Sequence, residues 1–370
     1  MVNKRRIVVK IGTSTLTGGG SHLLLPQVVD LARQISVLTA KGEKVSVVSS
    51  GAIAVGREAL GFPDLAKSIP VKQMLAAVGQ PRLMNVYEQL FEIFGCKVAQ
   101  ILLTREDVRD RRRYINARNT LNSLLDHKVI PIINENDSVA TEEIQIGDND
   151  NLSALVANLI EADLLVLLTD QEGLFTDDPD RSEGVELIQR IDDEDIPKEI
   201  WRAAGGTQNE LGTGGMLTKL QAADTARRSG THVVIAKGNL PNVLIRIAAG
   251  EELGTQIFSP VDTLESRKRF LLAGANQHAA IIIDAGAKRA LRAGGSLLPV
   301  GISAVKGDFD RGDIVPVKGS DEKDYAIGLV NYSSEEVRRI KGRQSGEIEA
   351  LLGFAFGDEV IHHNNMTVLR

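Results

Sequence analysis

The sequence predicts an α/β fold in which helices cover both faces of a mostly parallel sheet, followed by a small β-rich domain. Two observations lead to this prediction. Along the first two thirds of the 370 residues, short runs rich in Val, Ile and Leu end at polar or glycine clusters and alternate with helical patterns. After about residue 275, short strands broken by glycine turns replace that alternation.

The predicted strands of the first part are continuous apolar runs, which are typical of parallel strands buried on both faces. A helical pattern at 26–42 separates the first two strands, with Pro26 near its start and Gly42 at its end. The six predicted strands span residues 6–14, 44–51, 97–104, 128–137, 163–170 and 232–238.

Polar and glycine residues follow five of these strands, in the clusters GTS, SSG, NEND, TD and KG. The carboxyl ends of parallel strands meet at one edge of a sheet, and such sheets bind ligands beyond that edge. Any single cluster could be an ordinary turn, because turns use the same residue types. Five clusters at one edge predict a ligand site there.

The last third reads as a second domain. One domain typically has roughly 100 to 200 residues, so the length of this chain also predicts two domains. AAIIIDAGAKRAL, SLLPVGISAVKGDFDRGDIVPV and DYAIGLVNYS read as short strands, and SSEEVRRIKG as a brief helix with serine caps. The predicted boundaries are 1–260 for the first domain, 261–276 for a linker, 277–357 for the second domain and 358–370 for a C-terminal segment.

Composition narrows the class of protein. The formal net charge of -6 argues against a protein that mainly coats nucleic acid or an anionic membrane. Cys96 is the single cysteine, so no internal disulfide can form. With no leader pattern and no apolar run near 18 residues, the expected location is cytoplasmic, with no membrane partner.

Two glycine loops with lysines are the candidate phosphate-binding elements. The sequence has no P-loop motif, no Rossmann motif and no paired-cysteine metal site. In GTGGMLTKLQAAD, 212–224, a glycine-rich loop opens a helix that carries Lys219, and such a helix start favours an anion. Lys10 lies in an apolar strand just before Gly12, where a charge is costly to bury unless it meets an anion. Together the two lysines predict a phosphate clamp.

Seven motifs in order along the chain resemble the glutamate 5-kinases, a family with the amino-acid-kinase fold. They are VVKIGTS, VSSGAIAVGR, MLAAVGQPRL, VIPIINENDSVA, GDNDNLSALVA, LLTDQEGLFTDDP and LGTGGMLTKLQAA. The bacterial family carries a C-terminal PUA domain, a small pseudobarrel, and the β-rich segment at 277–357 matches that arrangement. The resemblance therefore spans nearly the whole chain.

The resemblance implies transfer of the γ-phosphoryl group of ATP to the side-chain carboxylate of L-glutamate, the first step of proline biosynthesis, with Mg²⁺ required. It also implies feedback inhibition by proline and a homo-oligomer, either a dimer or a tetramer. A carboxylate with a pKa of about 4.3 is already ionised at neutral pH, so it needs no general base. Positioning and charge neutralisation must then provide the catalysis.

The same resemblance implies roles for individual residues. Lys10 and Lys219 hold the transferring phosphoryl group, Asp150 organises these two lysines, and the backbone amides around Gly12 and Gly51 complete an oxyanion cradle. Residues implied to bind glutamate are Ser50, Gly51, Asn134, Asp137, Asp148 and Asn149. Residues implied to bind ATP are Lys10, Gly12, Thr169, Asp170, Thr213, Gly214, Gly215, Met216, Leu217, Thr218 and Lys219. The protein ligands of Mg²⁺ stay open.

The segment GDNDNLSALVA, 147–157, offers two carboxylates and two amides where one side-chain oxygen would cap a helix. Asp150 or Asn151 could supply that cap. The resemblance implies instead that Asn149 faces glutamate and that Asp150 fixes both lysines through charge-assisted hydrogen bonds. Asp148 either touches the substrate or matches the positive end of the helix dipole.

Two alternatives stay open. A sibling kinase acting on aspartate, N-acetylglutamate, carbamate or UMP would share the sheet and the lysines. RNA binding through the PUA domain is a second alternative, but residues 276–370 carry 12 Lys and Arg against 13 Asp and Glu, whereas an RNA-binding domain is expected to be basic. The arginine-rich segment 109–119 contains acidic residues and favours a solvated helix or a subunit contact over an RNA site.

Overall fold

The computed structural model describes residues 4–66, 68–140, 149–177, 184–205, 215–260, 265, 268, 271–272, 274–276 and 278–369. The chain divides into two compact units. The first comprises Met1–Val108 and Arg118–Thr263, and the second comprises Arg109–Ala117 and Leu264–Arg370. The first part of the arginine-rich segment therefore groups with the C-terminal residues. The domain boundaries at 260, 276 and 357 stay predictions.

The first unit is built on an eight-stranded sheet in the order β3-β4-β2-β1-β5-β7-β8-β6. Neighbouring strands are parallel except for the antiparallel pair β7 and β8. The mostly parallel α/β sheet predicted from the apolar runs is thus confirmed. The strands are β1 Arg6–Ile11, β2 Lys44–Ser49, β3 Lys97–Leu103, β4 Val129–Glu135, β5 Leu164–Thr169, β6 Arg190–Ile191, β7 His232–Lys237 and β8 Thr255–Ile257.

Both faces of the central strands are covered, and β5 is buried along its whole length. Ile7, Val9 and Ile11 of β1 belong to the core that includes Val28 and Leu31 of α2. Because side chains alternate along a strand, Lys10 faces the opposite side of the sheet. The helices are α1 Thr13–Thr17, α2 Leu25–Ala40, α3 Ala52–Ala59, α4 Ile69–Ile93, α5 Arg105–Arg109, α6 Arg111–Asp126, α7 Asn149–Ile160, α8 Lys198–Gly205, α9 Met216–Arg227 and α10 Val243–Ala248.

Helices α3 and α4 approach each other through two glycines. A Cβ atom on Gly79 would lie 1.8 Å from the carbonyl oxygen of Ala52, and one on Gly56 would lie 1.9 Å from that of Leu75. No side chain tolerates such distances, so this close backbone contact requires glycine on both helices. The contact fixes α4 against the first turn of α3, which begins directly after the SSG cluster.

The second unit contains a five-stranded sheet in the order β10-β9-β11-β12-β13, which confirms the predicted β-rich C-terminal architecture. Its core includes Ile281, Ile283, Val315, Val317 and Tyr332. The strands are β9 Ala280–Ile283, β10 Ile302–Lys306, β11 Ile314–Gly319, β12 Asp324–Leu329 and β13 Met366–Val368, and the helices are α11 Ala285–Arg292, α12 Ser334–Ile340 and α13 Ile348–Leu352.

Two helices of this unit illustrate how capping residues act. The predicted brief helix is confirmed as α12, where Ser333 and Glu336 form a capping box. The expectation of strand for AAIIIDAGAKRAL is wrong in its second half, which forms α11. The side chain of Asp284 accepts a hydrogen bond from the backbone N–H of Ala287 at 2.7 Å, so Asp284 caps the start of this helix.

Among the residues that the structure describes, none of the helices combines the length and apolar character needed to cross a membrane.

Candidate active site

The carboxyl ends of β1, β2, β4 and β5 lie at one edge of the sheet, as their parallel pairing requires. Lys10, near the end of β1, pairs in register with Val48 on one side and Leu167 on the other. The polar clusters that follow these strands therefore come together, and the start of α7 joins them. This edge carries the candidate site.

Asp150 lies between two lysines from different elements. Its Oδ1 lies 2.6 Å from Lys10 Nζ of β1, and its Oδ2 lies 3.3 Å from Lys219 Nζ of α9. Thr218 Oγ1 donates a second hydrogen bond to Oδ2 at 2.7 Å. The side chain of Asp150 is only 1% exposed. The structure thus brings the three residues with implied catalytic roles into one buried cluster.

The two lysines determine the charge state of this carboxylate. Burial alone would raise the pKa of Asp150, but the charges of Lys10 and Lys219, together with hydrogen bonds from Lys10 and Thr218, lower it to about 2. Asp150 is therefore ionised at neutral pH. Its position in the first turn of α7 would suit a helix cap, yet both oxygens contact side chains of β1 and α9. These are the contacts that the organising role requires, and the role itself stays a prediction.

A cluster of amides connects β2, β4 and α7 beside these charges. Asn149 Nδ2 lies 2.9 Å from Asn134 Oδ1, 3.1 Å from Ser50 Oγ and 3.2 Å from the carbonyl oxygen of Ser49. Asn134 Nδ2 in turn donates to Gln80 Oε1 of α4 at 2.8 Å. The structure therefore brings together Ser50, Asn134 and Asn149, three of the residues implied to bind glutamate.

Two buried acceptors in this region have no hydrogen-bond partner among the described residues. They are Asn149 Oδ1 and Asp137 Oδ1. Burial, with a smaller effect from the charge of Glu135, raises the pKa of Asp137 to about 7. Buried polar atoms are nearly always hydrogen-bonded in proteins, so two unpaired acceptors at one edge indicate a ligand that supplies N–H or O–H donors.

Glycines lie where backbone must approach this edge closely. Gly51 has a φ of 102°, in the left-handed region that favours glycine, and a Cβ atom there would lie 2.9 Å from Leu16 Cδ1. Gly12 directly precedes α1, and a Cβ atom added there would lie 3.4 Å from Lys10 Nζ. A side chain at Gly51 would therefore collide with Leu16, and one at Gly12 would contact the ammonium group of Lys10. The oxyanion role of their amides stays a prediction.

Only part of the predicted nucleotide site can be placed. Thr169 ends β5 and Asp170 follows it, and Thr169 Oγ1 donates to Asp170 Oδ1 at 3.0 Å. Gly215 precedes α9, and Met216 and Leu217 form the start of that helix. Thr218, implied to bind ATP, contacts Asp150, so it also belongs to the charged cluster. Asp148, Thr213 and Gly214 lie outside the described residues.

Sequence reasoning did not assign a role to Gln80 or to the charge of Glu135. Gln80 lies within the MLAAVGQPRL motif, but nothing in that motif shows that its amide reaches β4. Glu135 is part of NENDSVA. Its effect on the pKa of Asp137 depends on the burial of both residues, which only the fold shows. Both residues act on side chains that the resemblance had already implicated.

The described residues contain no group of three or more His, Cys, Asp or Glu side chains that could hold a metal ion. Mg²⁺ in phosphoryl-transfer sites is typically held by substrate phosphates with one or two carboxylates, so a dedicated cage is not needed. Asp150 is engaged by two lysines and a threonine. The described residues therefore show no protein ligand set for a divalent ion, and its entry with the nucleotide belongs to the proposed function.

Comparison with known proteins gives matches over nearly the whole chain. Residues 5–237 match the model of the Amino acid kinase family, and residues 279–352 match that of the PUA domain. A glutamate 5-kinase of Herpetosiphon aurantiacus is 52% identical over 98% of this chain and 97% of its own length. One of Deinococcus radiodurans is 49% identical over 98% and 100%, and one of Shewanella woodyi is 48% identical over 100% and 99%.

Proposed function

The chain belongs to the amino acid kinase family, with glutamate 5-kinases as relatives along its full length, and we propose that it transfers the γ-phosphoryl group of ATP to the side-chain carboxylate of L-glutamate. The products are L-glutamyl 5-phosphate and ADP. This reaction would be the first step of proline biosynthesis.

The reaction forms one bond and breaks one bond. An oxygen of the substrate carboxylate attacks the γ-phosphorus, and the bond from that phosphorus to the β,γ-bridging oxygen breaks, leaving ADP. The nucleophile is ionised at neutral pH, so no proton needs to be removed. The protein must hold two anions together and stabilise the charge on the transferring group, which is work for positioned cations.

The observation that carries the proposal is the buried contact of Asp150 with both Lys10 and Lys219. Asp150 holds the ammonium group of Lys10 from β1 and that of Lys219 from α9 close together at the sheet edge, next to the amide cluster. Lys10 and Lys219 are then fixed before the substrates bind, so little reorganisation is required during the transfer. The carboxylate of Asp137 and the amide oxygen of Asn149 provide acceptors for the α-ammonium group of glutamate.

Mg²⁺ enters this scheme with ATP as part of the co-substrate, where it would neutralise phosphate charge. We assign no protein ligand to it. The further roles of Gly12, Thr169, Asp170 and the loop from Thr213 to Lys219 in holding ATP belong to the same proposal. Asp148 stays a candidate for substrate contact.

We also propose a cytoplasmic homo-oligomer, dimer or tetramer, that is inhibited by proline. These features follow from the family resemblance. The near-neutral charge of residues 276–370 favours a role for the PUA domain other than nucleic-acid binding.

The substrate is tested by trapping the acyl phosphate with hydroxylamine. The protein is incubated with ATP, Mg²⁺ and either L-glutamate, L-aspartate or N-acetyl-L-glutamate. Aspartate is one methylene shorter, and N-acetylglutamate lacks the positive charge that Asp137 would bind. We expect hydroxamate to form fastest with L-glutamate. A rate with L-glutamate no greater than with either competitor contradicts the proposal.

A further inference from the structure

Helix α4 reaches the proposed glutamate site through Gln80. This side chain is nearly buried, at 9% exposure, and its Oε1 accepts a hydrogen bond from Asn134 Nδ2 at 2.8 Å. Gln80 directly follows Gly79, where an added Cβ atom would lie 1.8 Å from the carbonyl oxygen of Ala52 in α3. The glycine contact therefore fixes the point on α4 from which Gln80 reaches β4.

The hydrogen bonds around Asn134 run in one direction. Its Oδ1 accepts from the backbone N–H of Glu135 at 2.9 Å and from Asn149 Nδ2 at 2.9 Å. Both partners are donors, so the oxygen of Asn134 faces them and its NH₂ group faces Gln80. Asn149 Nδ2 also donates to the carbonyl oxygen of Ser49. The chain of donors thus leads from Asn149 through Asn134 to Gln80.

This direction determines which atom Asn149 leaves for a ligand. With its NH₂ group engaged by Asn134 and Ser49, Asn149 leaves Oδ1, which is buried and has no hydrogen-bond partner among the described residues. The reversed amide would present two N–H donors instead. An ammonium group can bind the first arrangement and is repelled by the second.

We propose that Gln80 is a positioning residue for the amino-acid substrate. By accepting the hydrogen bond from Asn134, it holds Asn134 and Asn149 in the orientation that presents Asn149 Oδ1 to the α-ammonium group. This inference rests on the proposed function. Without Gln80, the NH₂ group of Asn134 is a buried donor without an acceptor, which is a costly state, and Asn134 rotates to find another partner.

The test is Gln80→Leu, which keeps the size of the side chain and removes its acceptor. We expect the KM for glutamate to rise by about tenfold, since an unsatisfied buried donor costs about as much free energy as a tenfold change in binding. The kcat and the KM for ATP should change by less than about twofold, because the charged cluster is untouched.

Gln34→Leu is the matched control. Gln34 is fully buried, donates to Asp30 Oδ2 and accepts from the backbone N–H of Leu244, and neither partner belongs to the amide cluster. The control variant therefore also removes a buried, hydrogen-bonded glutamine. We expect a lower Tm with an unchanged KM for glutamate. The same KM increase in both variants would overturn the proposal, because it would reflect a general loss of stability.

A double-mutant cycle with Asn134→Ala decides whether Gln80 acts through Asn134. The alanine removes the donor that Gln80 accepts from, so adding Gln80→Leu should raise the KM for glutamate no further. If Gln80→Leu multiplies the KM by the same factor in both backgrounds, Gln80 acts by another route and the proposal fails.

The remaining outcomes separate this inference from the proposed function. A parent protein that forms no hydroxamate with glutamate overturns the proposed function. A parent that is active with glutamate, combined with a Gln80→Leu variant of unchanged KM, overturns only the positioning role. If Gln80→Leu does not fold, Gln80→Met replaces it. Failure of both to fold would make Gln80 a structural residue and would also overturn the inference.

Discussion

Asp150 Oδ1 lies 2.6 Å from Lys10 Nζ, and the two side chains are 1% and 6% exposed. Taking both charges out of water costs free energy that the attraction between them only partly returns, so a buried pair of this kind contributes little net stability. Its position at the ligand-binding edge of the sheet, with Lys219 on the second oxygen, agrees instead with a role in catalysis.

Replacement of Lys219 by alanine tests the contribution of one ammonium group. We expect kcat to fall by about 10²- to 10³-fold while the KM for glutamate changes little, because the charge is needed most when the phosphoryl group is in transfer. Steady-state kinetics with a coupled ADP assay measure both constants. Lys41→Ala, at an exposed lysine after α2, is the control and should retain the parent kcat. A kcat for Lys219→Ala similar to that of the control would exclude Lys219 from the transfer step.

The stability difference between the parent protein and Asp150→Asn should depend on pH. The folded-state pKa of Asp150, about 2, lies below the ordinary value of 3.8, so its contribution to the free energy of unfolding is present above about pH 4 and is lost as the pH falls towards 2. The variant lacks this contribution and leaves two buried lysines without their counter-charge. We expect its Tm to be below that of the parent near neutral pH, and the difference to shrink below about pH 4.

Thermal unfolding followed from about pH 6 to about pH 3 measures this dependence. Asp64→Asn changes an exposed carboxylate and serves as the control, with a Tm close to the parent throughout. A Tm difference for Asp150→Asn that stays constant over the whole range would show that its ionisation does not contribute to stability.

Asp137 should set the pH dependence of glutamate binding. Because burial raises its pKa to about 7, the carboxylate becomes ionised in the free protein only as the pH passes that value, and an ammonium group binds the ionised form. We expect kcat/KM for glutamate to increase with pH, with its inflection at about 7, and to level off at higher pH. Asp137→Asn should lose this increase and have a lower kcat/KM at high pH.

Glu135→Gln is the matched variant for this prediction. Removal of the neighbouring negative charge lowers the pKa of Asp137, so the increase in kcat/KM should move to lower pH. The pH profile of kcat/KM for ATP, measured at saturating glutamate, should not show this increase. An unchanged inflection in Glu135→Gln would contradict the assignment of the titration to Asp137.

Gly79→Ala tests the close contact of α3 with α4. A methyl group would lie 1.8 Å from the carbonyl oxygen of Ala52, so the helices must separate. We expect a loss of stability of about 1 to 3 kcal/mol or more, seen as a lower Tm. At Gly205, at the end of α8, a Cβ atom would meet nothing within 4 Å, so Gly205→Ala should leave the Tm nearly unchanged. Equal Tm values for the two variants would contradict the contact.

Much of the fold followed from local patterns in the sequence. The apolar runs of β1, β2, β4, β5 and β7 end at polar clusters, and parallel pairing then places those clusters at one edge. Periodicity and turn chemistry are properties of neighbouring residues, so they are readable along the chain. The helix α11 was not predicted because the whole segment AAIIIDAGAKRAL was read as strand, whereas Asp284 caps a helix.

The parts of the site that could not be predicted depend on contacts between distant residues. Gln80 and Asn134 are 54 positions apart, and their hydrogen bond depends on the crossing of α3 and α4 at Gly56 and Gly79. No local pattern encodes that geometry. Likewise, Thr218 Oγ1 reaches Asp150 only because α9 and α7 come together at the sheet edge. The resemblance identified the lysines, but the fold shows what holds them.

The most direct test of the proposed mechanism is a double-mutant cycle of Asp150→Asn and Lys219→Ala, with kcat for glutamate measured in the parent, both single variants and the double variant. If Asp150 acts by organising the lysines, removal of Lys219 leaves it little more to contribute, and the double variant should have a kcat close to that of the less active single variant. Losses that multiply, or an Asp150→Asn protein as active as the parent, would contradict the account and would leave Asp150 as a helix-starting residue.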